Sequence, residues 1–442
     1  MSRTILINNV YSYRNKGDSA IIEAMMAYVR GICPGARIVL LSNFWKENEK
    51  YYTASDTQCT PHLWDIPMDD AKLRRAVRAV KTMLGLGLQT LRVPGTNSQT
   101  MDLYRQADLL LDAGGGSLYS SNRHRVSLGL YQHLFNLWFA KKIGKPVVLA
   151  PQSLGPFNSN RERQATVSVL RKLDCVMIRE RISSSFLREY NVDHVLVPDI
   201  AFLANFVTRP SEAAQRYQET LPSEKLFRVG VTVLDWRWAK AGLASEQDGE
   251  NRINAYLSNI AHGLLKLNET RPVHVSIFPQ VTAGFGDTDA GVSRRLMNML
   301  VGKVPSVSVA EEDLTPSDLC NLYSEMDAFL ASRMHSAIFA ISRGVPTMAM
   351  AYQPKTVGTF DLLNLGDYVK DIQTVTGEDI AQHLMRVASR YDEEKAKFVA
   401  AAAGARSKVL EALDRTWKPL LMGATEPATW PETAQVMPTA SH

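Results

Sequence analysis

The strongest constraint in this chain is an alternation: short, nearly continuous apolar runs interleaved with segments of helical length. In the first half the runs are Thr4–Asn9, Ala36–Leu41, Ala107–Leu111, Pro146–Ala150, Cys175–Ile178 and Val195–Val197. The helical segments among them are Ser19–Arg30, Leu128–Ile143, Arg161–Leu173 and Ser183–Glu189. Runs that do not alternate apolar with polar suit strands buried on both faces, and strands alternating with helices imply a parallel sheet. The rhythm breaks at the polar stretch 208–224. It resumes with a strand at Arg228–Leu234, a helix near Asn251–Leu267, a strand at Val273–Phe278 and a helix near Val292–Val301. The strands Met326–Ser332 and Thr347–Tyr352 follow, flanking a helix at Ser336–Arg343, and Asp379–Ala388 and Glu393–Leu413 read as closing helices. At 442 residues the chain exceeds what one core serves. The expectation is an α/β protein with a domain at 1–207, a linker at 208–224, a second domain at 225–421 and a disordered tail at 422–442.

Composition excludes several classes. Hydrophobic residues make up 45% and charged residues 21%, as in ordinary folded proteins. A net charge of +5 without a clustered basic face argues against nucleic acid as a partner. The four cysteines, Cys33, Cys59, Cys175 and Cys320, are scattered with no CxxC pair, so neither a zinc site nor a disulfide framework is indicated. Cys175 and Cys320 sit in apolar surroundings and read as small buried residues. No secretory leader precedes the first strand, and no apolar run reaches the roughly 20 residues that span a bilayer. The expected location is cytoplasmic, with the inner face of the cell membrane as an alternative. That alternative comes from the insert 69–91, where Lys72, Arg74, Arg75, Arg78 and Lys81 precede Met83-Leu84-Gly85-Leu86-Gly87-Leu88. Basic residues beside an apolar run suit peripheral contact with an anionic membrane. They equally suit a solvated helix packed on its own domain.

The candidate site lies in the second half. Arg333-Met334-His335 ends one apolar run and opens a helix, and Lys355 follows the next run. Ligands of open α/β sheets bind at the carboxyl ends of the strands, and a helix N-terminus there favours an anion. An arginine, an imidazole and a lysine placed at that edge suit a small, highly charged anion. Other strand ends carry polar or glycine residues. Asn15, Gly17 and Asp18 open the first helix, with Gly17 read as easing a tight turn and Asp18 as a helix cap. Gly114, Gly115 and Gly116 follow Asp112 without the spacing of a dinucleotide-binding loop. Gln152 ends a third strand, and Arg179-Glu180-Arg181 ends a fourth.

With these pieces assembled, the chain resembles the polysaccharide pyruvyltransferases. The matching segments run in order: Asn15-Lys16-Gly17-Asp18-Ser19-Ala20, Asp112 to Leu118, Gln152 to Pro156, Ile178 to Ser183, Pro198-Asp199-Ile200-Ala201-Phe202, Arg333-Met334-His335 and Tyr352-Gln353-Pro354-Lys355. The resemblance implies two Rossmann-like domains facing each other across a cleft, the GT-B arrangement, with the acceptor on the N-terminal side and the donor on the C-terminal side. It implies phosphoenolpyruvate as donor and a saccharide acceptor, often lipid-linked, that receives a pyruvate ketal. Arg333 and His335 then belong to the donor site, with Arg179 or the neighbouring Arg181 as a further donor-binding arginine. The donor's carboxylate and phosphate need fixed cations, for which Arg333, Lys355 and Arg179 are candidates. An imidazole can donate or accept a proton near neutral pH. His335 is therefore the expected acid, or the group stabilising departing phosphate. Asp18 is the expected acceptor-side carboxylate, with Glu180 behind it, and Asn15, Gly17, Gly114–Gly116 and Gln152 are the other cleft residues. This chemistry requires no metal and no cofactor. The main rival is a GT-B glycosyltransferase using a nucleotide sugar; many carry two glutamates eight residues apart, and no two glutamates here have that spacing.

Overall fold

The nearly continuous apolar runs become strands with both faces covered. The computed structural model describes residues 3–63, 99–120, 127–204, 209–235, 246–282 and 289–424. The insert 69–91 lies outside these residues, as does most of the tail. The chain divides into two compact units. One comprises Met1–Tyr13, Ile21–Ile200 and Val409–His442, and the other Arg14–Ala20 and Ala201–Lys408.

The first unit contains β1 (Thr4–Val10), β2 (Arg37–Ser42), β3 (Thr57–Thr60), β4 (Leu109–Asp112), β5 (Val147–Gln152), β6 (Cys175–Ile178) and β7 (Val195–Leu196). They form one sheet in the order β3-β2-β1-β4-β5-β6-β7, with every pair parallel. Its core joins Leu6, Leu110, Leu149 and Ile178 from the strands to Leu134, Leu137 and Phe139 from the helix Leu128–Lys142. The last helix, Tyr391–Leu421, starts in the second unit and ends in the first, where Trp417, Leu413 and Leu420 are buried. Within the first unit Arg3 Nη1 and Cys33 Sγ both donate to Leu421 O, at 2.9 and 3.0 Å.

The second unit contains β8 (Phe227–Thr232), β9 (Val273–Ile277), β10 (Ser306–Val309), β11 (Ala328–Ala331), β12 (Thr347–Ala351) and β13 (Val369–Asp371). The order is β10-β9-β8-β11-β12-β13, again all parallel. Val229, Val231, Val275, Ile277, Leu330 and Met350 pack against Ile253, Leu257 and Leu264 of the helix Glu246–Thr270. In both sheets the strand order reverses beside the first strand, between β1 and β4 and between β8 and β11. Those are the switch points at which loops diverge and leave a crevice outside the carboxyl ends. The register keeps these ends level: Ala331 pairs with Thr232 on one side and with Ala349 on the other.

The stretch 208–224, read as a plain linker, contains the helix Glu212–Glu219. Ser211 caps it, Ala214 and Tyr217 are buried, and Tyr217 Oη lies 2.8 Å from Ser308 Oγ of β10. Its two apolar anchors are too few to show as a helical pattern in so polar a sequence. Among the described residues, no helix is long and apolar enough to cross a membrane.

Candidate functional site

In the second unit the site grows from the end of β11. Its last residue, Ala331, leads through Ser332 to Arg333, the residue preceding the helix Met334–Ser342. Thr232 at the end of β8 ties this turn down. Its hydroxyl lies 2.7 Å from Ser336 Oγ and accepts from Ser332 N at 3.1 Å, and Ser336 Oγ donates to Arg333 O at 2.7 Å. Ser332 Oγ also meets Tyr256 Oη at 2.5 Å. Arg333 thus stands at the topological switch point, and His335 is the second residue of the helix, where backbone N–H groups point outward. After β12, the sequence places Lys355 just past the strand without assigning it an element. The helix Pro354–Leu362 begins there, with proline in its first turn and Lys355 second. Arg333, His335 and Lys355 therefore come from two helix starts that follow adjacent, level strands.

Arg333 is buried and donates from Nη2 to Asp289 Oδ1 at 2.6 Å. Asp289 is also buried. Burial pushes its carboxyl upward, while the Arg333 guanidinium and the N–H groups of Val281 and Gln280 pull it back.

The Arg14–Ala20 segment belongs to this unit. Asn15 and Val281 form an antiparallel bridge, Lys16 N donates to Gln280 O at 3.3 Å, and Thr282 N donates to Arg14 O at 3.1 Å. Lys16 is 2% exposed, and its Nζ reaches Asp313 Oδ1 at 2.7 Å. The sequence reading starts the next helix at Ser19 and assigns the cap to Asp18. The helix runs Lys16–Ile32, and Asn15 accepts a long 3.5 Å bond from Asp18 N, leaving Asp18 as the acidic residue of the first turn. Gly17 does not mark a tight turn. A Cβ there would stand 2.2 Å from His335 Nδ1, so the backbone approaches the imidazole as only glycine allows.

The first unit carries its own polar cluster at the ends of β1, β4, β5 and β6. Asp112 is fully buried and accepts from Asn8 Nδ2 at 2.8 Å and Asn9 Nδ2 at 2.5 Å. Asn9 adopts a left-handed backbone, φ 60°, and its Oδ1 meets the half-buried ring of His133. Gln152 Oε1 accepts from Ser117 N at 3.3 Å and from Ser117 Oγ at 3.1 Å, bracing the glycine loop. A Cβ on Gly114 would sit 2.5 Å from Pro151 O, and Gly115 needs φ 121°. Arg179 is 1% exposed; Nε donates to Ser153 Oγ at 3.1 Å and Nη1 to Asp199. Its Nη2, nearest of the described atoms to a Cβ built on Gly116, lacks a hydrogen-bond partner among the described residues. Glu180 precedes the helix Arg181–Glu189 and caps it, accepting from Ile182 N at 2.6 Å and Ser183 N at 3.0 Å, while Arg181 is exposed at the first helical position.

The sequence pattern of the family described as Polysaccharide pyruvyl transferase matches residues 15–354, from the Asn15 turn to the residue before Lys355. This chain belongs to the polysaccharide pyruvyl transferase family. It is similar to the amylovoran biosynthesis protein AmsJ of Erwinia amylovora, at 22% identity over 88% of this chain and 93% of that protein. Its fold is that of GT-B glycosyltransferases and epimerases. UDP-GlcNAc 2-epimerase of Neisseria meningitidis matches with TM-score 0.54 and 12% identity over 94% of this chain and 99% of that one. Os79 of O. sativa matches with TM-score 0.55 and 12% identity over 95% and 100%.

Reasoning from sequence missed several residues that define the geometry of this pyruvyl transferase family member. Asp289 reads in the sequence only as half of a DxD-like pair with Asp287, in a Gly-rich stretch that does not make a convincing metal site, and nothing there points to Arg333. Lys16 lies inside the Asn15–Ala20 segment with nothing in the pattern to mark a partner, and Asn8, Asn9 and His133 are ordinary residues until β1 and β4 pair. Among the described residues, no group of three or more His, Cys, Asp or Glu side chains is arranged for a metal ion.

Asp112 yields a pH prediction. Burial pushes its carboxyl up to about 8, against the opposing pull of Asn8, Gln152 and Asn9. Between about pH 4 and 8 the unfolded chain has released this proton while the folded protein keeps it, so stability falls as pH rises. Denaturant unfolding at pH 5 and 8 should show a decline in the parent protein that Asp112→Asn flattens. An equal decline in both would remove Asp112 as its source.

Proposed function

We propose that this protein transfers the pyruvyl group of phosphoenolpyruvate to a sugar of an exopolysaccharide or cell-wall polymer, on a lipid-linked repeat unit, forming a pyruvate ketal. The observation that carries the reading is that Arg333 and His335 stand at one helix start and Lys355 at another, beyond the adjacent strands β11 and β12, inside a chain of this family. Arg333 and Lys355 hold the donor's carboxylate and phosphate, helped by the helix N-termini. Arg179 supplies a further N–H, in keeping with its unpartnered Nη2, and Arg181 is the alternative.

His335 delivers a proton to the methylene carbon, which becomes a methyl group and leaves an oxocarbenium-like centre at the next carbon. One sugar hydroxyl attacks that centre and gives up its proton. The carbon–oxygen bond to phosphate breaks, phosphate departs, and the second hydroxyl closes the ring with loss of its own proton. One proton taken by carbon and one by phosphate balance the two lost by the hydroxyls. Asp18, next to Gly17 in the first turn of the helix, is the carboxylate that orients or deprotonates the acceptor. Asn15 joins Asp18 on the acceptor side, and in the first unit Gly114–Gly116, Gln152 and Glu180 are the further acceptor-side candidates. A positioned acid or base of this kind contributes about 10²–10⁴-fold.

Mass spectrometry of lipid-linked oligosaccharides incubated with the protein and phosphoenolpyruvate is the test. The expected result is a gain of one pyruvate unit, with His335→Asn abolishing the limb of the pH–rate profile assigned to the acid. Thermal stabilisation by a nucleoside diphosphate, with no response to phosphoenolpyruvate and no mass gain, would favour glycosyl transfer instead. A wild-type mass gain with an unchanged profile in His335→Asn would remove His335 as proton donor.

A further inference from the structure

We propose that Asp289 is a positioning residue for this reaction, fixing the Arg333 guanidinium and, through the same buried carboxylate, the segment against which the Asn15–Gly17 turn rests. The inference depends on Arg333 being a donor-binding group. Asp289 immediately precedes the helix Ala290–Leu300, where an aspartate usually turns its side chain onto the first helical N–H groups. Here it makes no such bond. Oδ1 goes to Arg333 Nη2 at 2.6 Å, and Oδ2 accepts from Gln280 N at 3.0 Å and Val281 N at 2.9 Å.

Gln280 and Val281 are the residues that the N-terminal turn contacts. Gln280 O accepts from Lys16 N, and Val281 bridges Asn15. One carboxylate therefore joins the arginine at the switch point to the strip carrying Gly17, and Gly17 in turn abuts His335. Both proposed donor-site groups are set against a single braced assembly. Stability alone explains this poorly, because a buried ion pair roughly breaks even against an apolar replacement of similar volume. Geometry explains it better. A free arginine side chain carries about 2 kcal/mol of rotamer entropy, and a guanidinium already held in place loses less of it when it takes a planar anion.

The test uses the full chain with phosphoenolpyruvate and extracted lipid-linked oligosaccharide. Asp289→Asn keeps acceptor oxygen for the backbone N–H groups but loses the charge facing Arg333. The expected result is a folded protein whose KM for phosphoenolpyruvate rises about tenfold or more. On an Arg333→Ala background the same substitution should add less than about twofold, because both changes remove one coupled unit. Asp289→Glu, which restores the charge one methylene further out, should recover part of the loss. An unchanged KM in Asp289→Asn, or full additivity with Arg333→Ala, overturns the proposal. If Asp289→Asn does not fold, Asp289→Glu is read by the same KM criterion, and failure of both to fold assigns Asp289 a purely structural role and also overturns it. A wild-type protein that neither binds nor consumes phosphoenolpyruvate defeats the donor reading itself; wild-type turnover with an unmoved KM defeats only Asp289.

Discussion

Gly17→Ala is expected to cut pyruvyl transfer by about two orders of magnitude and to destabilise the protein by about 1–3 kcal/mol. The expectation runs against local propensity. Gly17 sits in the first turn of the helix Lys16–Ile32, where exchange of glycine for alanine would ordinarily stabilise a helix by about 0.5–1 kcal/mol. The new methyl would lie 2.2 Å from His335 Nδ1, 2.4 Å from its Cγ and 2.6 Å from its Cβ. Neither partner can yield cheaply. The turn is tied to Gln280–Thr282 by backbone bonds, and His335 is part of a helix start held by Thr232 and Ser336. The imidazole must shift, and with it the proposed proton donor. Thermal melts and transfer rates of Gly17→Ala and of Gly17→Ala/His335→Gly are the check. The double variant removes all three contact atoms, so it should regain stability relative to the sum of the two single changes while staying inactive. A Gly17→Ala protein with ordinary rate and melting temperature would show that this approach is not as close as described.

Arg179→Ala is expected to cost about 3–5 kcal/mol, because it strips the guanidinium from a carboxylate that has no access to water. The Arg179 and Asp199 side chains are 1% and 0% exposed. For a unit of this size such a loss lowers the melting temperature by on the order of 10 °C. Replacing both partners with leucine should recover most of it, since an apolar pair of similar volume leaves no buried charge behind. A melting temperature for Arg179→Ala within one or two degrees of the parent's would refute this. The same substitution bears on function, because Arg179 is also a proposed donor-site residue. In the leucine pair stability returns and activity does not, which separates the two roles.

The interior of each sheet was legible in the sequence because its strands are buried on both faces and read as unbroken apolar runs. β1, β5, β6, β8, β11 and β12 all announce themselves in this way. The strands that escaped are β3, β10 and β13, each at the edge of its sheet. β10 is Ser306-Val307-Ser308-Val309, half-exposed at every position, and β3 is buried only at Cys59 and Thr60. An edge strand satisfies one neighbour and faces water on the other side, so its pattern is short and mixed. The site was legible as a set of residue types at strand ends, but not as pairs. Arg179 and Asp199 lie in two separate motif segments and become one ion pair, as Gln152 and Ser117 become one brace and Gly17 and His335 one contact. Spacing along a chain carries no record of which loop meets which. Asp289 shows the limit most clearly: its partners lie 44 residues ahead and 8 and 9 residues behind, with nothing local to mark them.

The path of the Tyr391–Leu421 helix has a consequence for biosynthesis. The sheet β1–β7 leaves the ribosome first, yet the packing around Trp417, Leu413 and Leu420, and the carbonyl that Arg3 and Cys33 share, arrive only with the last stretch of polypeptide. The earliest-made half must wait, incompletely covered, while some two hundred further residues are translated, and a nascent chain stalled before residue 409 would expose that apolar surface to chaperones and proteases.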